Sequence, residues 1–434
     1  MKRSLFGLLL LSITTFSFAQ KAEKIINAKE VERIEKILSA DDMEGRKTFT
    51  RGIEKAGNFI ADEFKKTGLS TWEASPSYLQ SFAMVRAKFL GLECSFDGKS
   101  VDSRDVIVAT CKPLLTINER SGYEKVKIAK GANLFSEARK LITANKNYLV
   151  LVDTSFSRSF NNLTRIKSQL FKSDKSVVFV IGTLDPTTYS VEAKHEISEQ
   201  PLANVVGVIP GKSRKDEYVI FSGHYDHLGI MHKDRQGNEL TDSIFNGAND
   251  DAAGTTAVIM LAKYFKALHN NERTLVFVAF TAEEIGGFGS QYFSRQFDPE
   301  KVKAMFNIEM IGTESKWGRN AAYITGYEKT DMGKILQSNL EGTGFTFHPD
   351  PYPAQQLFYR SDNATLARLG VPAHTISTSK MENPPEPNYH KASDEIGTLD
   401  MENMAMIIKA IALSSRGIIS GKETPGRVDT SELR

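Results

Sequence analysis

The sequence predicts an α/β fold: a mostly parallel sheet flanked by helices, interrupted by a smaller inserted domain that is itself α/β or β-rich. Three observations carry this expectation. From about residue 204 onward, short runs rich in Val, Ile, Leu and Phe alternate with stretches of helical periodicity. Several of those runs end in His, Asp or Glu, and ligands in open α/β sheets gather at the carboxyl ends of the strands. Residues 83–200 differ in character, with frequent Lys and Ser and no His-acid cluster.

The chain has 434 residues, enough for two or three domains. Its 41% hydrophobic and 25% charged residues are those of a globular chain with a real core. The net charge of +2 comes without a basic stripe, so nucleic acid is not an expected partner.

The chain opens on a targeting segment. Lys2 and Arg3 form a basic start, Leu5 to Phe18 is mostly apolar, and Ser17-Phe18-Ala19 is a small-x-small cleavage site before Gln20. The apolar part is too short to span a bilayer comfortably. Residues 1–19 are therefore expected to be a signal peptide, and the mature chain to act outside the cytoplasm, periplasmic or secreted, with no membrane span. Cys94 and Cys111 are left open to a disulfide or to free buried thiols.

In residues 20–82, Val31, Ile34, Ile37 and Leu38 recur at helical spacing, as do Ile53, Ala56, Ile60 and Phe64. Gly68 closes the second helix. Glu44 and Arg46, in the loop Asp41 to Arg46, read as a surface ion pair. In residues 83–200, Val106 to Ala109, Tyr148 to Val152 and Val177 to Ile181 read as strands, and Ala132 to Ala144 as a helix. Asn162-Leu163-Thr164 matches a glycosylation acceptor, a tripeptide common by chance.

The main domain, residues 201–421, has strand candidates at Asn204 to Pro210, Tyr218 to Ser222, Leu275 to Thr281, Ala304 to Met310 and Ala373 to Ser377. Helices are expected at about Ala252 to Leu268, Met332 to Leu340, Asn363 to Leu369 and Asp400 to Ile418. Residues 422–434 form a polar tail.

Five runs carry chemistry. His224 follows a strand that ends at Ser222, and Asp226 leaves an extended segment on the same face. Asp250 and Asp251 stand just before a helix, where capping and metal binding can coexist. Glu283 and Glu284 follow a very apolar strand, then Gly286, Gly287 and Gly289 turn the backbone sharply. Adjacent residues point differently, so one Glu can bind metal while the other acts as general base over a shared water. Glu309 ends another apolar strand, and His390 follows a loop stiffened by Pro384, Pro385 and Pro387. Two His and three carboxylates without a thiolate suit catalytic zinc, with cobalt or manganese as alternatives. One bridging carboxylate fits a pair of ions about 3.5–4 Å apart.

The ordered set Gly223-His224-Tyr225-Asp226, Gly247-Ala248-Asn249-Asp250-Asp251-Ala252-Ala253-Gly254, Ala282-Glu283-Glu284-Ile285-Gly286, Asn307-Ile308-Glu309-Met310-Ile311-Gly312 and Tyr389-His390 resembles the M28 family of co-catalytic zinc peptidases. The resemblance covers roughly Asn204 to Leu413 and the N-terminal helices. It implies a zinc-peptidase fold and two zinc ions per chain. His224, Asp250 and Glu309 match the ligands of one ion; Asp250, Glu284 and His390 match those of the other. Glu283 matches the general base, Asp226 the acid that supports His224, and Asp250–Asp251 a peptide that is cis in the family. Residues 83–200 resemble a protease-associated insert. The implied activity is that of an aminopeptidase on peptide substrates. Carboxypeptidase, dipeptidase, glutaminyl cyclase and an inactive binding protein are the alternatives. Two positions depart from the pattern: Glu309 stands where the family often has Asp, and Asn363 of Ser361-Asp362-Asn363 where it often has His. His227, His232, His348 and His374 match no motif position and read as structural or surface residues.

Overall fold

Continuous apolar strands have no face to give to water, so they pair in the middle of a sheet and are covered on both sides. The computed structural model describes residues 23–182, 185–233, 237–382 and 386–433. The expected signal peptide, and Pro384 and Pro385, lie outside them. The chain divides into two compact units, Met1–Ser81 with Ala203–Arg434, and Phe82–Leu202.

In the first unit, helices α1 (Ala28–Leu38) and α2 (Arg51–Thr67) precede β1 (Tyr189–Ile209), whose last residues belong here. There follow β2 (Arg214–His224), α3 (Ala253–Leu268), β3 (Arg273–Phe280), α4 (Phe288–Ser294) and β4 (Val302–Ile308). The chain ends with β5 (Ala321–Ile324), α5 (Met332–Asn339), β6 (Thr346–Pro349), α6 (Asn363–Ala367), β7 (Ala373–Ser377) and α7 (Met401–Ser414). Sheet order is β6-β5-β7-β4-β2-β3-β1. The central strands β3, β2, β4 and β7 are parallel. Two pairings run the other way, β1 with β3 and β5 with β7. A parallel neighbour needs a crossover, usually a helix. The segment 309–320 between β4 and β5 holds none, and β5 comes back antiparallel to β7.

All eight residues of β3 are buried. Alternate side chains serve opposite faces: Phe221 of β2 stacks between Phe277 and Phe306, at 5.5 and 4.8 Å between ring centroids. That face is closed by α1, α2, α3 and α7 through Ile34, Phe64, Phe265 and Ile408. Ile220, Val276 and Met305 point to the other face and pack with Phe293 and Leu366. Asn27 caps α1 by accepting the Glu30 N–H at 3.0 Å, and Gly68 ends α2 in the left-handed conformation at φ 75°.

Arg46 corrects the expectation for its loop. It is fully buried rather than paired at the surface, and Glu44 instead faces Lys55 at 3.8 Å. The short strands β5 and β6 were not expected from the sequence.

The second unit contains a four-stranded sheet in the order Val106–Ala109, Val177–Ile181, Tyr148–Val152, Glu124–Ile128, with a helix at Leu134–Thr143. Strand Leu114–Asn118 pairs antiparallel with residues Ser190 to Lys194. Cys94 and Cys111 are free thiols, and the Cys111 thiol donates to the Phe171 carbonyl at 3.5 Å. Asn162 is exposed in a helical turn, Phe160–Ser168. Among the described residues no helix is long and apolar enough to cross a membrane.

Candidate metal centre

Parallel pairing sets the level at which the functional residues leave the sheet. His224, the last residue of β2, stands opposite Phe280 of β3, and Ser222 opposite Asn307 of β4. Glu283, Glu284 and Glu309 therefore emerge just beyond the same edge. Ala282 and Met310 carry left-handed backbone, at φ 61° and 50°, where the chain turns off β3 and β4. His390 is also left-handed, at φ 56°.

Asp250 lies at the centre. His224 Nε2 is 3.2 Å from Asp250 Oδ1 and 3.5 Å from Glu309 Oε1. On the other side, His390 Nε2 is 3.1 Å from Asp250 Oδ2 and 3.3 Å from Glu284 Oε2. Zinc bonds of about 2.0–2.1 Å in a tetrahedron put neighbouring ligand atoms about 3.3–3.4 Å apart. The four separations match those edges. His224 Nε2 is buried without a hydrogen-bond partner, as is Glu284 Oε1. The donor set and its spacing fit zinc, which His224, Asp250 and Glu309 could hold on one side and Asp250, Glu284 and His390 on the other.

Around these atoms the supports differ in kind. Asp251 turns away from the cluster. Its carboxylate accepts the N–H groups of His224, Gly254 and Met310 at 3.1, 3.0 and 3.0 Å, which caps α3 and ties it to β2 and β4. The Asp250–Asp251 peptide is cis. Asp394 accepts the N–H groups of Asn249 and Asp250 at 2.9 and 3.0 Å. Asp226 meets His224 through its backbone: His224 Nδ1 lies 3.0 Å from the Asp226 carbonyl and 3.8 Å from its carboxylate. The carboxylate instead accepts the N–H groups of Glu283 and Glu284 at 3.0 and 3.3 Å and the Thr48 hydroxyl at 3.2 Å. Glu309 accepts a short hydrogen bond from Ser361, whose oxygen receives the Asn307 amide at 2.7 Å. Asn307 in turn accepts the Ser222 hydroxyl at 2.7 Å.

Beneath the centre, the Arg46 guanidinium donates to four carbonyls, those of Tyr225, Leu38, Asn246 and Gly247, at 2.9, 2.6, 2.6 and 2.8 Å. Two of these carbonyls flank the residues that deliver Asp226 and Asp250. Arg46, Thr48, Ser361 and Asp394 were not singled out as site residues from the sequence, although Ser361 lies in the run Ser361-Asp362-Asn363 that was compared with the family pattern.

Crowded acids dominate the electrostatics. Burial opposes charge on His224, yet the carboxylates of Asp250 and Glu309 push its pKa well above the ordinary value. Burial likewise opposes charge on His390, and Asp250 and Glu284 raise it to about 10. Glu283 is pushed well above the usual carboxylate range by burial and then by Glu309, Asp362 and Glu284, with His224 acting against them. A divalent cation answers the same excess of negative charge.

The departures from the family pattern are accommodated locally. Glu309 reaches the cluster while its second oxygen takes the Ser361 hydroxyl. Asn363 donates to the carbonyls of Phe358 and Ala373 at 3.0 and 3.3 Å, binding α6 to β7. Asp362 is buried, and burial raises its pKa to about 7. Of the unassigned histidines, His232 is exposed, His348 stacks on Trp317 at 4.0 Å, and His374 sits between Thr325 and Thr330. His227 is not at the surface: it is buried, with Nδ1 2.9 Å from Glu284 Oε1.

The profile of Peptidase family M28 matches residues 204–414, the stretch that carries every one of these cluster residues. Residues 204–414 belong to peptidase family M28. Within that family's reach, a probable zinc metalloprotease of Pyrenophora teres is 34% identical over 113 residues, covering 26% of this chain and 23% of the relative. The chain thus spans about a quarter of that relative's length. A leucine aminopeptidase 1 of Aspergillus clavatus is 24% identical over 288 residues, covering 62% of this chain and 70% of the relative. Among solved structures, a zinc aminopeptidase from Bacillus subtilis superposes with TM-score 0.54 at 17% identity, covering 92% of this chain and 97% of its own, which shows a shared fold.

Proposed function

We propose that the chain is a zinc-dependent exopeptidase, an aminopeptidase that binds two zinc ions and releases N-terminal residues from peptides. The observation that carries this reading is the spacing of two imidazoles and three carboxylates about Asp250 at the edges of a zinc tetrahedron. The names of the relatives, leucine aminopeptidase and zinc aminopeptidase, support the direction of attack. Zinc held there would polarise the scissile carbonyl and acidify the attacking water.

Glu283 has the properties of the general base. A carboxylate of ordinary acidity is a poor proton acceptor at neutral pH, and burial among other acids makes this one more basic. It takes a proton from water as the new bond to the carbonyl carbon forms, and gives it to the amine that leaves. Asp226, gripping the N–H groups of Glu283 and Glu284, keeps base and ligand in register. Beside Glu309, a cleft lined by Met310, Tyr323, Leu357, Met381 and Tyr389 offers an apolar place for a side chain. Arg360, an exposed guanidinium on its wall, favours a second reading, a dipeptidase or carboxypeptidase that holds a free carboxylate there. Residues 1–19 support export, with hydrolysis outside the cytoplasm.

The test is a panel of aminoacyl-4-nitroanilides with N-blocked twins, run with the wild type, a chelated sample and Glu283→Gln. Turnover that disappears on chelation, in the variant and with the blocked amines supports the aminopeptidase. Equal turnover of blocked and free substrates would overturn it, and cleavage restricted to dipeptides or C-terminal residues would favour the second reading.

A further inference from the structure

His227 lies in the half of the centre that contains Glu284 and His390. Its side chain is fully buried, with Nδ1 2.9 Å from Glu284 Oε1 and 3.9 Å from Asp250 Oδ2. These are the carboxylates His390 faces, so two imidazoles converge on one pair of acids, His227 on Oε1 of Glu284 and His390 on Oε2. The two rings meet edge to face at 5.8 Å.

The short contact to Glu284 pairs an imidazole nitrogen directly with a carboxylate oxygen. Nδ1 and Nε2 of His227 and Oε1 of Glu284 are all buried without a hydrogen-bond partner. His224 Nε2, beside Asp250, shows the same pattern of a buried nitrogen close to an acid. Buried polar atoms left this way are costly unless something else satisfies them, and a cation satisfies lone pairs that point at a common place. The ring is also held in position. Its backbone N–H donates to the Arg46 carbonyl at 3.3 Å. Gly247 presses on its face: a Cβ there would lie 2.5 Å from both Cγ and Cδ2. The separations of 2.9 and 3.9 Å bracket the tetrahedral edge of about 3.3 Å.

We propose that His227 is a third imidazole ligand of the metal centre, binding through Nδ1 in the half held by Asp250, Glu284 and His390. This rests on the zinc reading above and adds a ligand to it. The cation satisfies Nδ1 and the Glu284 oxygen, while Nε2 carries the ring proton and stays a buried donor. The assignment makes the two halves unequal, with one imidazole on the His224 side and two on the His390 side.

X-ray absorption of the zinc-loaded full chain decides the matter, because imidazole rings give a countable multiple-scattering signal. Three rings over two ions predict about 1.5 imidazoles per zinc, and two rings about 1.0. In Glu309→Ala loaded with a single equivalent, the remaining zinc should carry about two imidazoles rather than one. His227→Gln should bring the wild-type count to about 1.0 and weaken the second ion at least about tenfold. Two ions at 1.0 imidazole each in the wild type, with peptide hydrolysis intact, would overturn the assignment of His227 and leave the proposed function standing. A chain that binds no zinc overturns both. The wild-type count stands alone if His227→Gln does not fold.

Discussion

Glu309 and His390 face each other across Asp250, and they are held there by different means. Glu309 is the first residue beyond β4 and is steadied by a relay of neutral groups, Ser222 to Asn307, Asn307 to Ser361, Ser361 to Glu309. The opposite half is built from loops, and ionised groups position its backbone: Arg46 on the carbonyls of Asn246 and Gly247, Asp394 on the N–H groups of Asn249 and Asp250. Neutral hydrogen bonds that follow a strand register can be lost singly. A buried guanidinium cannot, since its removal strands several carbonyls at once. One half can therefore be tuned, while the other is tied to the stability of the fold.

The sharpest way to break this comparison is to remove what both halves share. Asp250→Ala should abolish binding of both ions and lower peptide hydrolysis by about 10⁴-fold, the upper range for loss of a metal-coupled acid–base step. Retention of one tightly bound ion, measured by metal analysis after dialysis, would show the halves to be independent. Next in size, Arg46→Met should cost about 3–5 kcal/mol of unfolding free energy in urea, as expected when a buried, fully bonded charge is removed. A loss below about 1 kcal/mol would contradict the distinction between the halves.

Ser361→Ala sharpens the contrast from the other side. It should weaken the ion beside Glu309 by about 10–100-fold while leaving the urea midpoint nearly unchanged, the usual scale for a group that orients a ligand. The smallest effect concerns Glu35, buried on α1 with the Thr256 hydroxyl donating to it at 2.8 Å. Burial raises its pKa to about 8. Below the ordinary 4.5 both folded and unfolded chains hold the proton; between 4.5 and 8 only the folded chain keeps it, so this group removes stability as pH climbs. Glu35→Gln should flatten that decline and stabilise the protein by on the order of 2 kcal/mol at pH 8, with little gain at pH 5, in melts followed at both values.

Much of this was legible in the sequence because the informative residues lie in short local patterns. The runs that became β2, β3 and β4 are apolar enough to demand a buried sheet, and parallel register then brings His224, Glu284 and Glu309 to one edge without further information. Strands β5 and β6 escaped because four residues give little periodicity, and Thr346-Phe347-His348-Pro349 carries polar residues and a proline. His227 escaped for another reason. Strand alternation puts residues three apart on opposite faces, but β2 ends at His224 and the chain turns before His227. Arg46 looked like a loop charge because every partner that buries it, save Leu38, lies far along the chain.

That distance has a temporal side. The carbonyls of Asn246 and Gly247 are 200 and 201 residues from Arg46. A ribosome must deliver the whole intervening stretch, the second unit included, before the guanidinium meets its last acceptors. Contacts between such remote residues carry a larger loop-closure cost than local ones. The contacts of α1 and α2 are local by comparison, whereas the loop that presents Asp250 meets Arg46 only across that whole span. A chain that stops short of residue 246 lacks two of the four acceptors of a guanidinium that is fully buried in the folded protein.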